Sequence, residues 1–424
     1  MYDKNYYLIL TGKSTTASML AYVLDAMGDS LTAVVGAHMP QFSGGNIILG
    51  DGQNFVLEAD EYDGCFLGLS PYIAVVTNLD REHVDIFQNE EAVKATFHKF
   101  LNLIRVGRHL ILCGDRYTAL LYFNFWCSRL RHSSSGAYSL LTDVKQAIGS
   151  DTLSGLMHSP LEKCCIGYII TTYGTTSSNE WSASSIRPNL KVPRRRGPPP
   201  SYLWQAAQEG KFQVSNREAK SRETAYTAPA CNKFREAKPL SKLCLENSDE
   251  MESPSVSCHW GRSVADISLQ VPGVHNVLNS LAVIATVIAL YNNQREINNT
   301  INGLRLHLNN FIGVSRRFEM IGTICGCDIY DDYAHHPMEV QAVIQAACQK
   351  FPIKSLLVVF QNHTYSRLAA LKDDFAIALC GADQVVVTEV YAAREIDVGN
   401  VGGRELAASV IARHVNTSLL WVMW

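Results

Sequence analysis

A chain of 424 residues is long enough for two or three domains, and 47% hydrophobic with 18% charged residues excludes disorder throughout. A formal net charge of -3 excludes a general electrostatic pull toward nucleic acid or an acidic membrane, so the expected partner is a small molecule. Twelve cysteines without a CxxC pair read as reduced thiols, and the start, MYDKNYYLIL, lacks the pattern of a signal peptide.

In chain order, an apolar strand from Tyr6 to Leu10 runs into Thr11 to Ser14, and a helical pattern (Met19, Leu20, Val23, Leu24, Met27) follows until Gly28. Two further buried strands, Phe55 to Asp60 and Tyr72 to Asn78, each end in polar residues, as strands of a parallel sheet do where ligands sit. A helix from Glu90 to Ile104 carries Val93, Phe97, Phe100 and Leu101 on one side, and HLILCGD supplies another strand. After Asp115 the pattern fades. Residues 116–166 have no steady period, and 187–257, with RPNLKVPRRRGPPP, reads as irregular or disordered insertion.

Order returns with a strand in ADISLQ, a turn at Pro272-Gly273 and a long apolar helix whose core, Ser280 to Leu290, is too short to cross a bilayer. Beyond Phe311 comes a second α/β rhythm: strand CDIYDDY, helix Met338 to Phe351, strand SLLVVF, helix Leu368 to Leu379 and strand DQVVVTEV.

Several strand ends carry chemistry. Gly12, Lys13 and Ser14 fit the end of GxxxxGK[ST], where backbone N–H groups and a helix N-terminus cradle phosphates, but the first glycine is replaced by Tyr7. LEADEYDG gathers Glu58, Asp60, Glu61 and Asp63, which reads equally as a cation site or a solvated acidic loop. TNLDREHVD places Asn78, His83 and Asp85 after the next strand. In the second half, DDYAHHP and NHTYSR are strand ends dense in His, Tyr, Asp and Arg, a pocket pattern for an anionic substrate. Arg316 and Arg317 fit either a phosphoryl contact at a domain join or surface salt bridges.

Taken in order, TGKSTT, LEADEYDG, VVTNLDREHVD, VPGVHNVLNSLA, GVSRRFE, DDYAHHP and VFQNHTYSR with EVYAAREI resemble the Mur ligase family. DDYAHHP with HxYSR looks most like the members that join L-alanine to UDP-N-acetylmuramate. The likeness covers roughly Tyr7 to Asp115, Ile169 to Asn189 and Cys258 to Val410. It implies an α/β fold: a central P-loop ATPase-like domain with a parallel-rich sheet over 5–310, and a C-terminal Rossmann-like domain over 311–424 that stops short of its last elements. It implies ATP and Mg2+ as cofactors and an ATP-dependent ligase of peptidoglycan precursor synthesis that forms an amide through an acyl phosphate. Its partners would be UDP-N-acetylmuramate, L-alanine and ATP, with no nucleic acid and no membrane. The compartment would be the cytoplasm of a bacterium, or a plastid in a eukaryote.

By position, the resemblance gives Gly12, Lys13, Ser14 and Thr15 to the phosphates, with Ser14, Glu58 and His83 serving magnesium. His275, Asn276 and Asn279 would lie near adenine and Asp332 near ribose. Arg316 or Arg317 would contact phosphate across the hinge, and Tyr333, His335, His363, Tyr365 and Arg367 would line the amino-acid and acyl-phosphate side. The catalytic set is thus Lys13, Arg316, Arg317, His335, His363 and Arg367.

The chain also departs from the family pattern. The resemblance places an N-terminal UDP-binding domain before Tyr7, and the expectation is a chain without it. Ile9 and Leu10 stand where glycine and threonine are expected, so the phosphate loop is damaged or short, and Thr364 stands where the family often has arginine. A catalytically impaired relative that binds only nucleotide or a protein partner is the alternative reading.

Overall fold

The structure, a computed structural model, describes residues 5–10, 13–60, 62–77, 86–104, 107–115, 169–175, 179–187, 211–216, 262–291, 297–396, 401–413 and 418–421. Its first unit is built on a ten-stranded sheet. In the middle, β1 (Asn5–Leu10) lies parallel to both β4 (Asn54–Glu58) and β5 (Ile73–Val76). Beyond β4 come β2 (Thr32–Val34), parallel, and the short antiparallel β3 (Ile47–Ile48). On the other side β6 (His109–Cys113), β7 (Ile169–Gly174) and β8 (Trp181–Arg187) extend the parallel run, and β9 (Lys211–Asn216) and β10 (Arg262–Ile267) close it antiparallel. The run IAVV of β5 is buried on both faces, as a parallel strand between helix layers must be.

Helices cover that sheet. The first, α1 (Lys13–Ala26), buries Ala17, Met19, Leu20, Ala21, Val23 and Leu24 completely, and Gly28 at φ 92 takes the left-handed turn that ends it. Next, α2 (Glu90–Leu101) starts at Asn89, whose side chain accepts from the Ala92 N–H. Two more, α3 (Val274–Leu290) and α4 (Ile297–Asn310), pack with α1 into one apolar core that reaches Phe311 and Val314. Apolar on nearly every side, α3 is a core helix, and no helix among the described residues is long and apolar enough to cross a membrane.

The second unit begins with an antiparallel hairpin, β11 (Glu319–Ile324) and β12 (Cys327–Asp331), turned by Cys325 and Gly326 at φ 50 and 80. A parallel sheet follows, β13 (Leu357–Phe360), β14 (Gln384–Val387) and β15 (Ser418–Trp421), with α5 (Pro337–Lys350), α6 (Tyr365–Leu379) and α7 (Gly403–Arg413). Its core, centred on Phe360, Leu368, Phe375, Val385, Val387 and Leu406, is separate from the first. Both α/β units match the expected fold class.

Two expectations change. Lys211–Asn216 falls inside 187–257, expected to be irregular, yet it forms β9 between β8 and β10 and buries Val214. With two apolar residues in six it is too short and polar for period-two alternation to stand out. And α6 starts three residues before Leu368, which moves Tyr365, Ser366 and Arg367 from a loop onto the first turn of a helix. The stretch 116–166 lies outside the described residues.

Candidate functional site

The chain leaves β1 toward β2 on the β4 side of the sheet and leaves β5 toward β6 on the other, so the carboxyl ends of β1 and β5 form the topological switch point, with the end of β4 beside it. There the Ser14 hydroxyl, in the first turn of α1, donates to Glu58 Oε1 at 2.8 Å from the end of β4. The other carboxylate oxygen of Glu58 accepts the Gly36 N–H after β2. A Cβ on residue 36 would stand 2.9 Å from that oxygen, so a larger residue there would displace the Glu58 carboxylate from its present position. Thr15 is half-buried beside Ser14, and Asp60 accepts the Tyr62 N–H at 3.1 Å.

A hydroxyl and a carboxylate brought together across 44 residues are hard oxygen donors of the kind a magnesium ion takes, so the described part of the site fits one. Among the described residues no group of three or more His, Cys, Asp or Glu side chains is assembled to hold a metal alone. Gly12, Asn78 and His83 lie outside the described residues, as does the side chain of Lys13, whose backbone opens α1. Ile9 and Leu10, which stand where the family loop has glycine and threonine, are the last residues of β1.

In the second unit the side chains converge on Glu339. His336 caps α5, its ring accepting from Met338 N–H, and Glu339 completes the capping box by accepting the N–H groups of His335 and His336 at 3.0 and 3.3 Å. The same carboxylate lies 3.5 Å from the Arg317 guanidinium and 3.5 Å from the His335 ring. Burial opposes its charge, yet His335, Arg317 and the His335 N–H together hold its pKa below the ordinary glutamate value. His335 itself is pushed down, chiefly by burial, and stays a neutral imidazole at neutral pH.

Arg316 lies over the Tyr333 ring at 4.5 Å and 3.4 Å from Asp331, and both it and Phe318 have positive φ (59 and 53). Asp332 receives the N–H groups of Phe318 and Ala334, both at 2.7 Å, while burial raises its pKa to about 6.

At the N-terminus of α6, Thr364 caps the helix with φ 72, costly for a β-branched residue, and its hydroxyl accepts from the Arg367 N–H. Glu395 holds Ser366 by hydroxyl and N–H. The buried Arg367 side chain reaches His363 at 3.4 Å, and the His363 ring lies 6.2 Å from that of His335 and 5.5 Å from that of Tyr391. Burial, with Arg367 adding, lowers the pKa of His363. Tyr365 is half-buried in the same turn. Beside it, Asn362 is 1% exposed, with neither amide atom hydrogen-bonded.

The two units meet at the start of α3. There a Cβ on residue 273 would stand 3.1 Å from the Ala346 Cβ of α5, and His275 is pushed down to about 4 by burial and by Arg317, with Glu339 acting the other way. Asn276 is buried; its amide donates to the Pro272 carbonyl at 2.6 Å and its oxygen accepts from Asn279 at 3.1 Å. Arg317, His335, His363 and Arg367 thus cluster in the second unit with His275 at its edge, while Ser14 and Glu58 form the pair at the switch point.

Sequence reasoning passed over Gly36, Glu339 and Asp115. The [ST]-x-x-E spacing that signals a capping box would have pointed to Glu339 had histidine been admitted as the cap. Asp115, fully buried after β6, accepts Thr175 N–H, Thr175 Oγ1 and Asn179 Nδ2 at 2.6, 2.7 and 2.7 Å, contacts with no local pattern in the chain.

Comparison with known proteins gives two family matches: the Mur ligase middle domain over residues 11–146, and the Mur ligase glutamate ligase domain over residues 316–418. The chain is 32% identical over 402 residues to the UDP-N-acetylmuramate--L-alanine ligase of Frankia casuarinae, covering 91% of this chain and 61% of that one. It is 30% identical over 396 residues to the protein of the same name from Salinibacter ruber, covering 93% and 61%. The chain therefore spans about three fifths of the length of these curated relatives. Among solved structures, UDP-N-acetylmuramate-alanine ligase from Thermotoga maritima superposes with a TM-score of 0.60 at 21% identity, covering 99% of this chain and 68% of that one, a likeness of fold. With one match on the unit that carries Ser14 and Glu58 and the other on the unit that carries Arg317, Glu339 and Arg367, the chain belongs to the Mur ligase family.

Proposed function

We propose that this chain is the nucleotide-binding and amino-acid-binding part of an ATP-dependent ligase that joins L-alanine to UDP-N-acetylmuramate through an acyl phosphate, in peptidoglycan precursor synthesis. The observation that carries the reading is the Ser14–Glu58 contact at the switch point of the first sheet, in a chain whose second unit gathers Arg317, His335, His363 and Arg367. ATP and Mg2+, when bound, supply the phosphoryl group and the neutralisation of its charge.

The residues of this chain have these roles. Lys13 neutralises phosphate, with Gly12 and Thr15 beside it; Ser14, Glu58 and His83 hold the cation. His275, Asn276 and Asn279 border the adenine and Asp332 the ribose. Arg316 and Arg317 stabilise charge that develops on the transferred phosphoryl group, and Tyr333 and Tyr365 line the substrate side. Arg367 attracts the carboxylate of the amino acid. His335 and His363, both neutral at pH 7, accept the proton that the attacking amine gives up.

Ile9 and Leu10 favour a second reading, a relative with weakened phosphate binding, because these residues end β1 as paired strand where the family places phosphate-loop backbone. Calorimetry of ATP with Mg2+ on the full chain and on Lys13→Ala separates the two. Binding that disappears in the variant supports the ligase reading and leads to an assay of L-alanine-dependent ADP release with UDP-N-acetylmuramate. Absence of binding in both proteins rejects it.

A further inference from the structure

The loop of residues 36–46, between β2 and β3, touches the Ser14–Glu58 pair at one end and the connection to the second unit at the other. Its first peptide, Gly36 N–H, is bonded to Glu58. Two residues on, the His38 carbonyl accepts the Ser315 N–H at 2.9 Å. Gln41 then makes a two-point clasp: its amide nitrogen donates to the Asn310 carbonyl at 3.0 Å and its oxygen accepts the Ile312 N–H at 3.0 Å. These partners are 269 and 271 residues away in sequence, so the clasp exists only in the folded chain.

The connection that is gripped is where the backbone turns from one core to the other. Phe311 and Val314 are buried in the first core, and Gly313, Arg316 and Phe318 have φ of 102, 59 and 53. Immediately afterwards the Arg316 peptide is fixed on both sides within the second unit: its N–H donates to Glu319 at 2.7 Å and its carbonyl accepts the Tyr333 N–H at 2.8 Å. Whatever sets the path of 310–315 therefore sets the direction in which Arg316 and Arg317 leave the first unit.

We propose that Gln41 is a positioning residue: with the His38 carbonyl it fixes the 310–316 connection, and the 36–46 loop transmits occupancy of the Ser14–Glu58 pair to that connection and so to Arg316 and Arg317. The transmission rests on the reading of Ser14 and Glu58 as a nucleotide and cation site. The physical step is an exchange of partners. A carboxylate that turns an oxygen toward a cation weakens the bond it accepts from Gly36 N–H, which releases the start of the loop and biases the clasped segment.

The test is hydrogen–deuterium exchange of the 310–316 segment in the full chain, with and without ATP and Mg2+, for wild type, Gln41→Met and Gln41→Glu. Met keeps the length of the side chain but offers neither bond, so exchange of the Ile312 and Ser315 amides in nucleotide-free protein is expected to rise about tenfold. Glu keeps the acceptor for Ile312 and loses the donor to Asn310, so its rise is smaller. In wild type ATP with Mg2+ changes the exchange of this segment; in Gln41→Met that response disappears while calorimetric affinity stays within about threefold, the split that loss of fold would not produce. Wild-type exchange in nucleotide-free Gln41→Met overturns the clasp, and a retained nucleotide response overturns the transmission. If wild type fails to bind ATP, the nucleotide reading and the transmission fall together, and the nucleotide-free comparison still decides the clasp.

Discussion

Replacing His336 with asparagine should flatten the acid sensitivity of the protein. The imidazole is 7% exposed, accepts the Met338 N–H at the start of α5, and is pushed down to about 4, first by burial and then by Arg367 and His335, with Glu339 acting in the opposite direction. In the unfolded chain it titrates near its ordinary value of 6.5. The folded state thus favours the neutral ring: its contribution to stability is complete above about pH 6.5 and is lost as the pH falls toward 4. Integrating proton uptake between those two values gives a loss of about 2 kcal/mol at pH 5 relative to pH 8, and about 3 kcal/mol by pH 4. Asparagine retains an acceptor for the cap and binds no proton. His336→Asn should therefore lose about 2 kcal/mol less than wild type between pH 8 and pH 5 in urea unfolding followed by far-ultraviolet circular dichroism. Thirteen histidines contribute to the absolute pH dependence, so the difference between the two proteins is the quantity to read. Identical pH dependence in both would refute the assignment of a neutral, buried cap.

Asp115→Ala leaves the Thr175 N–H, the Thr175 hydroxyl and the Asn179 amide without their carboxylate, and should cost about 4 kcal/mol in the same denaturation assay; a loss under about 1.5 kcal/mol would mean that water or another group replaces it. Asn362→Leu, similar in size, removes two buried amide atoms that have no hydrogen-bond partner, so the melting temperature should hold or rise by a few degrees, against the usual trend for buried substitutions. A fall of more than about 5 °C would show that the amide is paired in solution.

Much of the first unit was legible because a parallel strand between helix layers is apolar throughout. IAVV and HLILC declare themselves, and so does α3. WSASSIR and KFQVSN do not, since strands at the antiparallel end of a sheet need few apolar residues; α4 was missed because INNTING opens with asparagines that local propensity assigns to turns. The start of α6 was legible in principle from Thr364, a good cap, but the preceding strand and the run of polar residues pointed to a loop.

At the site, Ser14 and Glu58 were nameable because each ends a strand or begins a helix next to a glycine or acidic motif. Gly36 and Gln41 act through bonds to backbone and to residues far along the chain, which leave no spacing to read. Glu339 was hidden for another reason: its four contacts exist only once α5 is capped and the Arg317 turn has folded against it.

The order in which the first core is completed bears on how the chain is made. β1, β4, β5 and β6 are synthesised within the first 113 residues, but α3, which packs against β5, β6, β7 and α1, ends only at Leu290. At about 5 to 20 residues per second, the apolar face of those strands waits on the order of 10 to 35 s for its cover while the ribosome adds the intervening chain. During that interval the nascent sheet is a sticky surface with unpaired strand edges, so yield in a cell should depend on chaperones that occupy this face, and should fall when α3 is delayed further.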